Sequence, residues 1–335
     1  MESTSSPAAA GDGDGAEGVV GLAAPFPLAH GGALPKARLA WRLAGPDGAP
    51  VVLALGGISA HRRVAAEDGG WWASAVGRGR ALDTARRRVL GIDYLGGSGA
   101  STGPQPGEAF PAISAYDQAA AIAALVRELQ LPRLALVAGA SYGGQVALAL
   151  GARHPQLAAR LLVISAADCI QPMASAWRGI EREIVRFGAR HGDAAGGLKL
   201  ARALAMCTYR TAREFADRFA GPPRLEAGRW RLPVEAYLAA RGAAYAEGYR
   251  PESFLCLSES IDLFRIDAAQ VRLPVTAVAV RDDQLVPYAD MQEFVARLPH
   301  GRLETLDSLY GHDAFLKEAD ALRPIFAACL EGPDR

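Results

Sequence analysis

Three side chains have the types and the order that nucleophilic catalysis requires. Ser141 lies at the centre of the sequence Gly-Ala-Ser-Tyr-Gly, Asp283 follows a short apolar run, and His312 follows the next one. A serine hydroxyl is too weak an acid to ionise alone, so a histidine must take its proton, and an acid must orient that histidine and stabilise the imidazolium. The order serine, acid, histidine therefore predicts a catalytic triad with Ser141 as the nucleophile.

Each of these positions has an alternative in the sequence. The neighbouring Asp282 could be the acid, either aspartate could be a turn residue, or Asp313 could be the true acid. His312 could instead cap a helix, and Ser141 could do the same in a glycine-rich turn. Among the six histidines, His61 is the one rival base worth testing, because it lies in a loop that follows an earlier strand.

The residues around Ser141 predict a strand, a sharp turn and a helix. The apolar run over residues 134–138 is typical of a buried strand, and the Ala/Leu-rich stretch that ends at Leu150 is typical of a helix. Glycines two residues before and after the serine leave room where a Cβ would collide, since this turn brings the helix close to the strand. The backbone N–H of Tyr142 is then expected to point at a developing oxyanion, at the positive end of the helix.

A second glycine-rich loop is expected to complete the oxyanion site. The apolar run over residues 51–55 predicts a central strand, and the loop after it begins Gly56-Gly57-Ile58. In a serine acyltransferase or hydrolase, Gly57 or Ile58 would supply the second N–H donor at this place. Removing one such donor typically costs about 3 kcal/mol of transition-state stabilisation.

The order of the predicted elements indicates an α/β fold with an insertion. Strands and helices alternate through residues 19–167, which we assign to the first part of the core, and the alternation resumes over residues 268–335. Residues 168–267 have helical patterns and follow a strand, so we expect them to form a lid over the serine, although a separate helical domain is the alternative. Residues 1–18 are rich in Ser, Ala, Gly and Asp and predict a disordered tail.

Composition excludes several classes of partner. Lys plus Arg and Asp plus Glu both number 36, so the formal net charge is zero and gives no electrostatic reason to bind nucleic acid or an anionic membrane. The four cysteines have no C-x-x-C spacing, which argues against a metal cluster and against a disulfide framework. The sequence contains no membrane-length apolar run and no signal-peptide pattern, so we expect a cytoplasmic protein.

Beyond the triad, five further segments carry a resemblance from about residue 50 onwards to the homoserine O-acyltransferases of methionine biosynthesis. This family belongs to the α/β-hydrolase superfamily, whose fold is a mostly parallel central sheet flanked by helices with a helical lid. The segments are Gly70-Trp71-Trp72 with 79–84, the Gly/Ser-rich loop 96–104, the lid segment 201–210 ending in Thr-Tyr-Arg, the segment 233–238, and Gly311-His312-Asp313-Ala314-Phe315-Leu316.

The resemblance implies ping-pong transfer of an acetyl or succinyl group. Ser141 would take the acyl group from acetyl-CoA or succinyl-CoA as co-substrate, and the L-homoserine hydroxyl would collect it, with no permanently bound cofactor. By the same resemblance, Arg202 would hold the amino-acid carboxylate, Asp313 its ammonium, and Tyr209 would line the pocket. Alternatively, Arg202 could be a solvated arginine of the lid, and Asp313 could be a helix-capping acid. Dimers packed through the lid helices are also implied.

Two departures from the family pattern concern the pocket. The family usually has a His-x-Leu-Thr-Gly type of oxyanion loop, whereas this chain continues after Ile58 to His61-Arg62-Arg63. We therefore hypothesise that Arg62 or Arg63 reads an anionic acyl group such as succinyl, or a phosphate of coenzyme A. Tyr142 replaces the more frequent methionine or leucine after the nucleophile, and its side chain could reshape the acyl pocket.

Other functions remain open at this level. L-Serine could replace L-homoserine, because one methylene in a pocket is worth only about 1 to 3 kcal/mol. A serine esterase or other hydrolase could use the same triad, and would turn over without an amino-acid acceptor. A binding protein that merely retains the triad is the weakest alternative, since the sequence gives no sign of a damaged site.

Overall fold

The structure, a computed structural model, describes residues 15–331. The strands of this part of the chain are β1 (Gly15–Gly21), β2 (Phe26–Pro27), β3 (Ala33–Leu34), β4 (Arg38–Ala44), β5 (Val51–Leu55), β6 (Arg88–Ile92), β7 (Leu136–Ala140), β8 (Leu161–Ile164), β9 (Arg224–Glu226), β10 (Arg229–Arg231), β11 (Val275–Val280) and β12 (Gly301–Leu306). Its α-helices are α1 (Ala115–Glu128), α2 (Tyr142–Arg153), α3 (Pro172–Arg190), α4 (Ala194–Tyr209), α5 (Ala212–Phe219), α6 (Pro233–Gly248), α7 (Pro251–Asp262), α8 (Tyr288–Arg297), α9 (Ala314–Lys317) and α10 (Ala319–Glu331).

Eight strands form one sheet in the order β1-β4-β6-β5-β7-β8-β11-β12. Pairing is antiparallel on both sides of β4 and parallel from β6 to β12. Successive residues of a strand face opposite sides, so Leu53 packs into one apolar cluster and Val52 and Ala54 into another. Because both faces are covered, the central strands are continuous apolar runs. The predicted mostly parallel sheet flanked by helices is confirmed.

Two local expectations differ from the structure. Residues 15–18, which the sequence predicts as the end of a disordered tail, form the first half of β1 and pair with β4 at the sheet edge. Backbone pairing at the edge of a sheet needs little apolar periodicity, so the composition of residues 15–18 does not indicate a strand. The rest of the predicted tail, residues 1–14, lies outside the described residues. Strand β7 begins at Leu136 and runs to the residue before Ser141, whereas Leu134 makes only an isolated bridge to Ala158.

The segment between β8 and β11 holds the helices α3 to α7 and the β9–β10 hairpin. Four of these helices correspond to the helical patterns in the sequence, and α7 was not anticipated. Arg178 and Arg182 of α3 bind Asp262 at the end of α7, with N–O distances of 2.5 and 2.6 Å, and so tie the first of these helices to the last. No helix in residues 15–331 is long and apolar enough to cross a membrane.

Candidate active site

Ser141 occupies the tight turn between β7 and α2. Its φ is 55°, a conformation that L-residues rarely adopt, and it marks backbone strain at this position. A Cβ on Gly139 would lie 2.2 Å from the carbonyl oxygen of Gly143, and one on Gly143 would lie 2.4 Å from the backbone of Leu55. The two glycines therefore allow α2 to start directly against the strand ends, and the turn lifts the serine above the sheet.

The structure brings Ser141, His312 and Asp283 into one hydrogen-bonded line. His312 Nε2 lies 2.8 Å from Ser141 Oγ, and His312 Nδ1 lies 2.8 Å from Asp283 Oδ2. The three residues follow β7, β12 and β11, whose carboxyl ends meet at the same edge of the sheet. This geometry suits proton transfer from the serine to the histidine, with the aspartate fixing the tautomer.

Asp283 is oriented by its own backbone environment. Its Oδ1 accepts hydrogen bonds from the N–H groups of Leu285 and Val286, at 2.9 and 3.0 Å, which leaves Oδ2 for His312. Asp282 is exposed to solvent, whereas Asp283 is buried. Of the two adjacent aspartates, Asp283 is thus the one positioned to act on the histidine.

The environment of His312 favours its protonated form. Burial by itself lowers the pKa of His312, but the charge of Asp283 and its hydrogen bond raise the pKa by more, so that it lies above the ordinary value of 6.5. The imidazolium that forms when the serine is deprotonated is stabilised in this way. His61, the rival base, lies outside the cavity that contains Ser141, and burial lowers its pKa.

Three backbone N–H groups are available for an oxyanion. Tyr142 is the first residue of α2, so its N–H has no partner within the helix. Gly57 and Ile58 line the cavity beside Ser141, and within residues 15–331 neither N–H donates a backbone hydrogen bond. These groups lie where the sequence places the oxyanion donors.

The side chain of Tyr142 does not shape the pocket, contrary to the possibility raised by the sequence. It is 1% exposed, and its hydroxyl lies 2.7 Å from Ser260 Oγ. Its ring packs edge-on against Tyr94 with a centroid distance of 5.1 Å. The turn that exposes Ser141 directs the next side chain into the core, where aromatic packing holds it.

The cavity over Ser141 is lined partly by the helices that follow β8. Arg178 and Glu181 come from α3, and Arg202 and Tyr209 come from α4. The Arg202 guanidinium lies over the rings of Tyr209 and Tyr245, at 5.0 and 4.7 Å from their centroids. Within the described chain it forms no ion pair, so its donors are free for an anionic group such as a carboxylate.

Asp313 also lines this cavity, directly after His312. Its Oδ2 lies 3.0 Å from Nε of Arg210, and Arg210 in turn bonds Glu214. The charge of Asp313 is therefore already compensated by a buried arginine. Arg210 was not singled out in the sequence except as the last letter of the Thr-Tyr-Arg motif.

Arg62 and Arg63 are not brought into the cavity of Ser141. They line a neighbouring cavity together with His61, Ser98 and residues of the 96–104 loop. Arg62 Nη1 binds the buried Asp93 Oδ2 at 2.6 Å, whereas Arg63 is half exposed. Arg63 has only a long contact of 3.8 Å to the partly exposed Glu17, so of these two arginines it is the one whose side chain is available to a ligand.

Sequence reasoning missed several polar residues of the main cavity, among them Glu181, Gln145 and Ser165. No motif marks them. Gln145 lies one helical turn after the nucleophile, and a hydrophilic residue on the inner face of a helix is a signal that could have been followed. Glu181 gives the same signal on α3, where it shares the buried stripe with Ala174 and Val185.

Comparisons with known proteins agree with this architecture. A family model described as alpha/beta hydrolase fold matches residues 50–319. A homoserine O-succinyltransferase from Xanthomonas campestris is 44% identical over 327 residues, covering 96% of this chain and 86% of the relative. An L-serine/homoserine O-acetyltransferase from Streptomyces lavendulae is 35% identical, covering 91% of this chain and 94% of the relative.

Solved structures share the fold. The crystal structure of a homoserine O-acetyltransferase from Bacillus anthracis superimposes with a TM-score of 0.85, covering 96% of this chain and 99% of the other. Its sequence identity is 17%, so the likeness shows the fold alone.

Proposed function

Since the chain belongs to the alpha/beta hydrolase fold family, and within it to the homoserine O-acyltransferases, we propose that it transfers a succinyl group from succinyl-CoA to the hydroxyl of L-homoserine. The observation that carries this proposal is the Ser141–His312–Asp283 line opening on a cavity that also holds the unpaired Arg202. Ester hydrolysis does not require a fixed cation beside the nucleophile, whereas binding the carboxylate of an amino-acid acceptor does.

In the first half of the reaction, Ser141 takes the acyl group. His312 Nε2 accepts the proton of Ser141 Oγ as that oxygen attacks the thioester carbonyl. The oxyanion of the tetrahedral intermediate is held by the N–H of Tyr142 and by that of Gly57 or Ile58. The carbon–sulfur bond then breaks, His312 returns the proton to the thiolate, and coenzyme A leaves.

In the second half, the acceptor takes the acyl group from Ser141. His312 removes the proton of the acceptor hydroxyl, which attacks the ester, and the serine oxygen leaves with that proton. Arg202 holds the acceptor carboxylate, Tyr209 borders it, and Asp313 lies on the ammonium side. The helices α3 to α7 act as the lid, which lets a bound hydroxyl compete with water for the acyl-enzyme.

The proposal also specifies the acyl donor, succinyl-CoA rather than acetyl-CoA. The name of the 44% identical relative, a homoserine O-succinyltransferase, supports succinyl, while that of the 35% identical O-acetyltransferase supports acetyl. Ser165 Oγ and Gln145 Oε1 line the cavity and have no hydrogen-bond partner within the described residues. The Ser165 hydroxyl can donate a hydrogen bond to a succinyl carboxylate, whereas an acetyl methyl group cannot accept one, so this hydroxyl favours succinyl. Gln145 Oε1 is itself an acceptor and does not discriminate between the two acyl groups in this way.

The neighbouring cavity is a candidate site for coenzyme A. It shares Ile58, Ser59 and Ala60 with the main cavity, so a ligand can extend from one to the other. Arg63 would meet a phosphate there, which is the second of the two roles suggested for it by the sequence. Arg62, bound to Asp93, would shape the wall.

A homodimer through the lid helices is a further part of the proposal. Exposed apolar side chains at Met173, Ile180 and Phe187 repeat every seven residues along α3, and Leu200 of α4 is also exposed. Such a stripe is typical of a helix–helix contact. Light scattering coupled to size exclusion should give twice the mass of the chain, and a monomer would contradict this part.

The activity is tested by measuring coenzyme A release from succinyl-CoA and from acetyl-CoA, each with L-homoserine, with L-serine and with no acceptor. We expect release that requires succinyl-CoA, L-homoserine and Ser141, with Ser141→Ala as the control. Preference for L-serine would favour the serine O-acyltransferase alternative, which the name of the Streptomyces relative supports. Release that does not depend on an acceptor would overturn the transferase proposal in favour of a hydrolase.

A further inference from the structure

Glu181 is a carboxylate in a place where the helix pattern calls for an apolar side chain. The buried residues of α3 are Ala174, Glu181 and Val185, which lie on one face of the helix, and Glu181 is 3% exposed. Burying an ionised carboxylate is costly unless another group compensates its charge. The position therefore needs a partner.

Two of the arginines near Glu181 are already engaged. Arg178 and Arg182, on the same helix, both bind Asp262. Within residues 15–331, Glu181 forms neither a hydrogen bond nor an ion pair. Burial raises the pKa of Glu181 to about 7, and the charges of Arg178 and Arg202 act in the opposite direction.

Two of the charges that line the main cavity are paired, since Arg178 binds Asp262 and Asp313 lies against Arg210. Asp290, in the first turn of α8, forms no ion pair within the described residues, and burial raises its pKa. On the adjacent helices α3 and α4, the unpaired charges of the cavity are Glu181 and Arg202, which have opposite signs. An anion and a cation on neighbouring helices complement a zwitterion.

We propose that Glu181 binds the α-ammonium of the amino-acid acceptor while Arg202 binds its carboxylate. This inference rests on the proposed function, because it assigns the acceptor of that reaction. Both side chains face the same cavity from adjacent helices, and α3 and α4 pack directly on each other. The ammonium supplies the positive partner that Glu181 lacks, and Asp313, held by Arg210, contributes less.

The test compares L-homoserine with 4-hydroxybutanoate, which lacks the ammonium but keeps the hydroxyl and the carboxylate. In Glu181→Gln the charge is lost and the shape is kept. We expect the preference of kcat/KM for L-homoserine over 4-hydroxybutanoate to fall about 10- to 100-fold, the value of a hydrogen bond to a charged group. The loss should fall on the acceptor half of the reaction, so the preference should fall by a larger factor than the rate of acyl-enzyme formation from succinyl-CoA.

Glu183→Gln is the matched control, since it makes the same change on the exposed side of the same helix, where Glu183 pairs with Arg186. It should keep the full preference. Glu181→Met, of similar volume, is a second variant, and thermal unfolding verifies that each protein is folded.

A preference in both Glu181 variants equal to that of the unaltered enzyme would overturn the inference while leaving the proposed function intact. Absence of acceptor-dependent coenzyme A release in the unaltered enzyme would instead overturn the proposed function, and the inference with it.

Discussion

Replacing Asp283 by asparagine should change which nitrogen of His312 carries a proton. The Oδ1 site accepts hydrogen bonds from two backbone N–H groups, those of Leu285 and Val286. The asparagine carbonyl must occupy that site, because an NH₂ group there would face two donors. The NH₂ group is then directed at His312 Nδ1, which has to accept, and the ring proton moves to Nε2.

A histidine with its proton on Nε2 cannot take the proton of Ser141. The loss of the base should lower kcat about 10³- to 10⁴-fold, or about 4 to 5.5 kcal/mol of transition-state stabilisation. The assay is the burst of acyl-enzyme formation with a chromogenic ester, which isolates the first half of the reaction from acceptor binding.

The matched control is Asp282→Asn, which makes the same change at the adjacent, exposed aspartate and should leave the burst rate unaltered. If Asp283→Asn kept its burst rate within about tenfold of the unaltered enzyme, the tautomer argument would fail. A large loss in Asp282→Asn would show that the wrong aspartate had been placed beside the histidine.

Three further outcomes are expected from the same geometry. Burial lowers the pKa of His312, but Asp283 raises it by more, so the pKa lies above 6.5. The base form of His312 is lost as the pH falls through this pKa, so a pH–rate profile of kcat/KM should have its acid limb above pH 6.5, and a limb below that value would contradict the coupling to Asp283. Gly143→Ala forces a Cβ to within 2.4 Å of the Leu55 backbone and should destabilise the protein by about 1 to 3 kcal/mol or more, measured by denaturant unfolding; an unchanged midpoint would refute the close approach. Arg202→Gln should raise KM for L-homoserine about 10- to 100-fold without slowing acyl-enzyme formation, and equal effects on both half-reactions would speak against a carboxylate-binding role.

Local sequence patterns were sufficient for the scaffold and for the line of catalytic groups. The strand, turn and helix around Ser141 are determined within about a dozen residues by glycine sterics and apolar periodicity, and each triad residue follows a strand of the parallel part of the sheet. Because parallel strands end at the same edge of a sheet, the sequence order alone predicted that these residues would lie together.

The sequence did not reveal which charged side chains lack an ion-pair partner. Arg62 looked available beside Arg63, yet it is bound by Asp93, which comes from the end of another strand. Asp313 looked like a free acid, yet Arg210 lies against it from the end of α4. Such pairs join residues that are distant in the chain, so the sequence pattern could not separate paired charges from unpaired ones.

The most direct test of the central claim is intact-protein mass spectrometry after incubation with succinyl-CoA. We expect a mass increase of one succinyl group, located at Ser141, absent in Ser141→Ala and discharged by L-homoserine with formation of O-succinyl-L-homoserine. A protein that turns over succinyl-CoA with L-homoserine while Ser141 never becomes acylated would contradict it.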